Sequence, residues 1–151
     1  MAIPGINERP LAKLYSPELL SLATGLASYP LNDGFSCTAD ARSPTCGSTI
    51  SLGLNCADDG SIELLGMRAT ACAVGQASAA IFAQSAEGRS RSDIETVRNA
   101  LNAWLRDANE MPNWPNIKLL APALEYPARH PAILLVWNAA AEALCNAEMS
   151  S

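Results

Sequence analysis

From Thr49 the chain alternates, with Ile50, Leu52, Leu54 and Cys56 on one face and Thr49, Ser51, Gly53 and Asn55 on the other. A period of two is that of a half-buried strand, and such a strand needs a partner. The stretch ADDGS at 57–61 supplies a hairpin turn at Asp59-Gly60, so 49–69 is predicted to be an antiparallel hairpin. On the return, Ile62 and Leu64 alternate, and then Leu65, Met67 and Ala69 do so in the other phase; a bulge near Gly66 is predicted to absorb the change. A further short strand fits near 35–39, between Asn-Asp-Gly and Ser-Pro punctuation.

Helices flank this small sheet. Ser16 and Pro17 suit the N-cap and first position of an amphipathic helix carrying Leu19, Leu20 and Ala23, ended by Pro30. From Cys72 the run CAVGQASAAIFAQSAEG is helical in pattern and small in its residues, which permits close backbone approach, and it stops at Gly88. Ser92 and Glu95 fit a capping box ahead of Ile94, Val97, Leu101, Trp104 and Leu105 at helical spacing. Pro112, Pro115, Pro122 and Pro127 mark 111–129 as an irregular surface segment. The last helix is expected to have His130 at its cap, Pro131 at its first position, and a stripe of Leu134, Trp137, Ala141 and Leu144. With no repeat or linker, the order helix, sheet, helices predicts a single α+β domain over 1–151, its two to three antiparallel strands covered by helices.

A chain of 151 residues can bury roughly 70% of the surface it exposes when unfolded, so its core needs no staples. The net charge is −5 and the basic residues are scattered, which argues against a nucleic-acid partner. No run approaches the ~18 apolar residues of a membrane span. MAIPGINERP lacks the apolar stretch of a signal peptide, so a cytosolic protein without membrane contact is expected. The five cysteines, Cys37, Cys46, Cys56, Cys72 and Cys145, are odd in number, widely spaced and without a CxxC pair. Reduced thiols are therefore expected, and any metal site must be assembled from distant positions.

Three residues stand where side chains reach outward from a scaffold. Cys46 occupies a Pro/Gly turn before a strand, where Ser or Thr would serve the turn as well. Cys72 opens a helix, where unpaired N–H groups and the macrodipole favour thiolate, although a small core residue among alanines is the plain structural reading. His130, the only histidine, stands at a helix start, where a simple capping role is the plain reading. Cys56 follows the apolar face of its strand and Cys145 follows Leu144 beside an apolar stripe, so both read as core.

SPTCGSTISL, the hairpin, ATACAVGQASAA and EYPARHPAILLVWNAAAEAL, in this order over nearly the whole chain, resemble the iron-sulfur cluster assembly scaffolds of the NifU/IscU/SufU type. The resemblance implies an α+β domain and no enzyme activity. It also implies a site where thiolates receive sulfur from a cysteine desulfurase, build a cluster with iron and release it to an acceptor protein. Cys46 and Cys72 match the first two cysteines of the family, and His130 matches the histidine beside the third. Where the family has an aspartate after Cys-Gly this chain has Ser48, and where the third cysteine would stand it has Pro131, which offers no donor atom. Two thiolates and one imidazole are left for a labile iron-sulfur cluster or zinc, with Ser48 and Cys37 as candidates for a further ligand. Two other readings fit the same residues: a SufE-like sulfur acceptor using one loop cysteine, and a metal-free interaction module of the assembly machinery.

Overall fold

The structure, a computed structural model, describes residues 15–44, 47–107 and 110–150. Helix α1 (Pro17–Thr24) starts where its sequence dictates. Ser16 Oγ accepts a hydrogen bond from the Leu19 N–H at 3.2 Å, and Pro17 fills a position whose N–H would have no helical partner. Of its predicted stripe only Leu19 is buried. A 3-10 turn (Gly25–Ser28) leads to strands β1 (Cys37–Arg42), β2 (Thr49–Cys56) and β3 (Ile62–Thr70), which form an antiparallel sheet in the order β1-β2-β3. The expected hairpin is present, with Gly60 at φ +89° in its turn, and the first strand lies slightly later than 35–39.

The phase change in β3 has a different origin from the one predicted. Pairing passes from Asn55↔Leu64 to Cys56↔Ile62, so Glu63 is the extra residue of the bulge. Ile62 and Leu65 consequently both turn toward the core, while Leu64 is left 58% exposed. Gly66 pairs regularly with Gly53. A glycine is needed at each because the Phe35 ring lies across both. A Cβ on Gly53 would come within 2.7 Å of Phe35, and one on Gly66 would collide with the Pro30 carbonyl oxygen.

Helices α2 (Ala73–Ser85), α3 (Arg91–Asp107) and α4 (His130–Ser150) follow the sheet. Helix α4 is central: it packs on β1 and β2 with one side and on α2 and α3 with others, and α1 packs on α2. That position explains why its buried face is broad, with Ile133, Leu135, Val136, Ala140 and Ala143 buried besides Trp137, Ala141 and Leu144, and a narrow stripe of Asn138, Glu142 and Asn146 exposed. The buried surface of α4 is thus wider than the predicted stripe.

Two further features depart from the sequence expectation. The capping box of α3 is formed by Ser90 and Asp93, two residues ahead of Ser92 and Glu95. Ser90 Oγ accepts from the Asp93 N–H at 3.1 Å, and Asp93 Oδ2 accepts from the Ser90 N–H at 3.0 Å. Glu95 is instead paired with Arg91 at 2.9 Å. Replacing Ser90 by alanine should cost about 1 kcal/mol in a denaturant titration. The Ser90 N–H, helped by the Ser90 hydroxyl and Arg89, holds the Asp93 carboxyl below the usual carboxylate range. A depressed carboxylate stabilises above its unfolded pKa and loses that effect as pH falls through its folded pKa, so the penalty of Asp93→Asn should shrink in acid.

The proline-rich segment, expected on the surface, is the second. Residues Ile117–Glu125 and Pro127–Arg129 are 3-10 helical, and Trp114, Ile117, Leu120 and Ala123 are buried. Trp114 stacks on Phe82 with ring centres 5.9 Å apart, meets Trp137 edge-to-face at 4.7 Å, and donates from Nε1 to the Ile81 carbonyl at 2.9 Å. Prolines break the α-helical ladder there without preventing the apolar residues between them from reaching the core.

Candidate functional site

Register decides which distant residues meet. Arg42 pairs with Thr49 across the β1–β2 hairpin, and Thr49 pairs with Thr70 across β2–β3. The end of the sheet that bears the 43–48 connection is therefore also the end from which β3 runs into Cys72. Cys46 lies outside the described residues, with Thr45. On its flanks the Ser43 N–H donates to the Ser48 carbonyl at 2.8 Å and the Gly47 N–H to the Ser43 carbonyl at 3.1 Å. Gly47 has φ +71°, a conformation that suits glycine. Ser43 and Ser48 are buried.

Cys72 is the N-cap of α2, extended at φ −65° and ψ 169°, and its carbonyl accepts the first helical bond from the Gln76 N–H at 2.9 Å. Its Sγ makes no capping hydrogen bond and the residue is half-buried, so the sulfur is not consumed by the helix. The starts of α2 and α4 adjoin: a Cβ on Gly75 would lie 3.1 Å from Ala132 Cβ, and Ser78 Oγ donates to the Ile133 carbonyl at 2.8 Å in a fully buried contact. Pro131 thus belongs to the same end of the molecule as Cys72. Gly75 and Ser78, which in the sequence are only two small residues among several, are what brings the two helix starts together.

His130 does not cap α4 but forms its first turn, continuing from the 3-10 turn before it. Its Nε2 is 2.9 Å from the Ala123 carbonyl oxygen. Because a carbonyl only accepts, Nε2 carries the proton in this contact, and in the neutral ring Nδ1 keeps the lone pair. On a helix, residues 130 and 132 project about 200° apart. Accordingly the His130 ring faces α3, in a cleft of about 440 Å³ shared with Asn102, Leu105, Arg106, Leu124, Pro127 and Leu134.

Cys37 is removed from this end by the same register. It pairs with Leu54, at the opposite end of β1 from Arg42. At strand rise that is a separation of roughly 17 Å. Cys37 lies instead beside Cys56. Burial and the neighbouring Cys37 push the Cys56 thiol up. Cys56 is half-buried at a strand end, not fully in the core as its alternation suggests. The sequence signal for that neighbourhood, two cysteines on one face of adjacent strands, is visible only once the register is known. Among the described residues, no three His, Cys, Asp or Glu side chains gather where they could hold a metal ion, and no helix is long and apolar enough to cross a membrane.

No protein-family model matches the chain, and no curated protein matches it in sequence. Solved structures do match. The N-terminal part of a nitrogen-fixing NifU-like protein from Brucella abortus superposes with a TM-score of 0.86 at 25% identity, over 94% of this chain and 99% of that one. A putative iron-sulfur cluster assembly scaffold protein for the SUF system from Fervidobacterium islandicum AW-1 shares the fold, with a TM-score of 0.78 at 17% identity over 88% of this chain and 98% of that one. These neighbours support the NifU/IscU/SufU type that the motifs resemble, and they match the α+β architecture of three antiparallel strands covered by helices.

Proposed function

We propose that this chain is an iron-sulfur cluster assembly scaffold-like protein that takes sulfur and iron at Cys46, Cys72 and His130 and passes the cluster to an acceptor. The observation that carries the reading is the register Arg42↔Thr49↔Thr70, which draws the flanks of Cys46 and the strand leading into Cys72 to one end of the sheet. Thiolates are the soft ligands that suit iron-sulfur chemistry, and the His130 imidazole, whose Nε2–H is tied to a carbonyl and whose ring lies toward α3, would have to rotate to bring Nδ1 to them. A cysteine desulfurase is the source of sulfur that fits this reading, and a reducing compartment such as the cytosol would keep the thiols available.

The donor set is thin. Pro131 contributes nothing, and Ser48 is a buried neutral hydroxyl where a carboxylate would bind iron better. The cluster is accordingly labile cargo. Replacing Pro131 by cysteine should raise the iron and sulfide kept after anaerobic dialysis, because a soft thiolate then stands where proline has no donor atom. Iron and sulfide analysis together with visible absorbance measures this, and unchanged retention would remove the scaffold reading.

The orientation of His130 toward α3 favours one second reading, a SufE-like sulfur acceptor in which a single thiol suffices. In it a desulfurase persulfide gives its outer sulfur to Cys46 or Cys72, leaving the desulfurase thiol and a new persulfide. Mass spectrometry after incubation with a desulfurase and cysteine, without iron, separates the two: persulfide on a chain that never holds iron marks the acceptor.

A further inference from the structure

The end of the sheet opposite Cys72 carries a second pair of thiols. Cys37 is directly across from Leu54, and Cys56 lies two residues further along β2 on the same face, so the two are diagonal neighbours across adjacent strands. Both are free and half-buried, and both pack against the apolar core. Their flanks are held. Asn55 Oδ1 accepts from the Ser36 N–H at 2.8 Å and from the Ser36 hydroxyl at 3.1 Å, while Asn55 Nδ2 donates to the Gly34 carbonyl at 3.2 Å. These bonds fasten the chain just before Cys37 to the residue just before Cys56. Beyond Cys56, the Ala57 N–H donates to the Ser61 carbonyl at 2.8 Å.

Spacing decides what such a pair can hold. Diagonal cross-strand side chains have Cβ atoms roughly 7 Å apart, wider than the ~3.5–4.5 Å of a disulfide. A metal ion between two sulfurs replaces one S–S bond of about 2.04 Å by two metal–sulfur bonds of about 2.3 Å, which widens the span by roughly 2.5 Å. The pair is therefore too wide to bond directly and suited to a single bridging ion. Thiolates select soft ions. Among the described residues no third His, Cys, Asp or Glu completes a site. That disfavours zinc with its four ligands and favours an ion content with two.

We propose that Cys37 and Cys56 form a two-thiolate site for a soft monovalent cation of the copper(I) class, separate from Cys72 at the far end of the sheet. On binding, each thiol loses its proton to solvent and the ion bridges the two sulfurs.

The test uses the full chain carrying Cys46→Ser and Cys72→Ser, so that it is independent of the scaffold reading. Copper(I) is titrated anaerobically against a colorimetric copper(I) chelator. This chain should hold one equivalent, and Cys37→Ser or Cys56→Ser should each weaken retention by at least tenfold, the equivalent of about 1.4 kcal/mol; Cys145→Ser should leave it unchanged. Retention that is indifferent to Cys37→Ser and Cys56→Ser, or that follows Cys145, overturns the proposal. X-ray absorption on the copper-loaded chain gives a readout that no folding defect can mimic: two sulfur ligands are expected, and nitrogen ligation or three sulfurs overturns the site. Diamide treatment should yield no Cys37–Cys56 disulfide in peptide mapping, and ready formation of one would overturn the spacing argument.

Discussion

Truncating Trp137 to alanine should lower the free energy of unfolding by about 3–5 kcal/mol, the range for a large aromatic removed from a packed core. For a chain of this size that is a fall in Tm on the order of 10 °C. Trp137 is wholly buried on the central helix α4 and touches Phe82 edge-to-face at 5.2 Å and Trp114 at 4.7 Å. Trp114 is in turn anchored to the Ile81 carbonyl and covered by the Arg89 guanidinium, 4.2 Å from its ring centre. The cluster thus ties α2, α4 and the proline-rich segment together. Trp137→Phe should cost less than half as much. Trp137 Nε1 is buried and makes no hydrogen bond among the described residues. Phenylalanine therefore removes an unsatisfied donor whose burial costs about 1–3 kcal/mol while keeping an aromatic face. Equal penalties for the two variants in thermal and denaturant unfolding would show that the indole N–H has a partner or that the cluster is not a hub.

Replacing Cys72 by serine should abolish anaerobic iron and sulfide loading while leaving the fold intact or slightly stabilised. The two effects have opposite signs for a physical reason. Cysteine at this N-cap makes no side-chain capping bond, whereas a serine hydroxyl accepts well from the N–H groups of the first turn, a gain of up to about 1 kcal/mol. The same exchange removes a soft thiolate and leaves an alcohol that does not ionise at neutral pH. Parallel loading of Cys145→Ser, on α4 near Arg91, should match the parent. Iron and sulfide contents and the visible spectrum read the first effect, and the Tm reads the second. Undiminished loading of Cys72→Ser would exclude Cys72 from the site whatever the fold.

Much of the local chemistry is legible in the residues themselves. Alternation from Thr49 to Cys56 and the turn at Asp59-Gly60 determine the hairpin; Ser16 and Pro17 determine where α1 begins; the small residues after Cys72 determine a closely packed helix. Each depends on a few neighbouring residues, and periodicity and capping act over just that range. Other features depend on contacts that span the molecule. The Ser90/Asp93 box forms in place of Ser92/Glu95, an overlapping pattern of the same kind, and Glu95 pairs with Arg91 instead. Gly66 suggests a bulge in sequence because its true reason, the Phe35 ring and the Pro30 carbonyl lying against the strand, comes from residues far back along the chain. The proline-rich segment suggests a surface loop because its prolines are local and its burial against Phe82 and Trp137 is not. At the candidate site, sequence places Cys72 and His130 at helix starts, as the structure does. The direction of the His130 ring toward α3 and the transfer of Cys37 to the company of Cys56 follow instead from helix packing and strand register. Those are long-range properties, set by how apolar faces are buried against one another, which no short window of sequence contains.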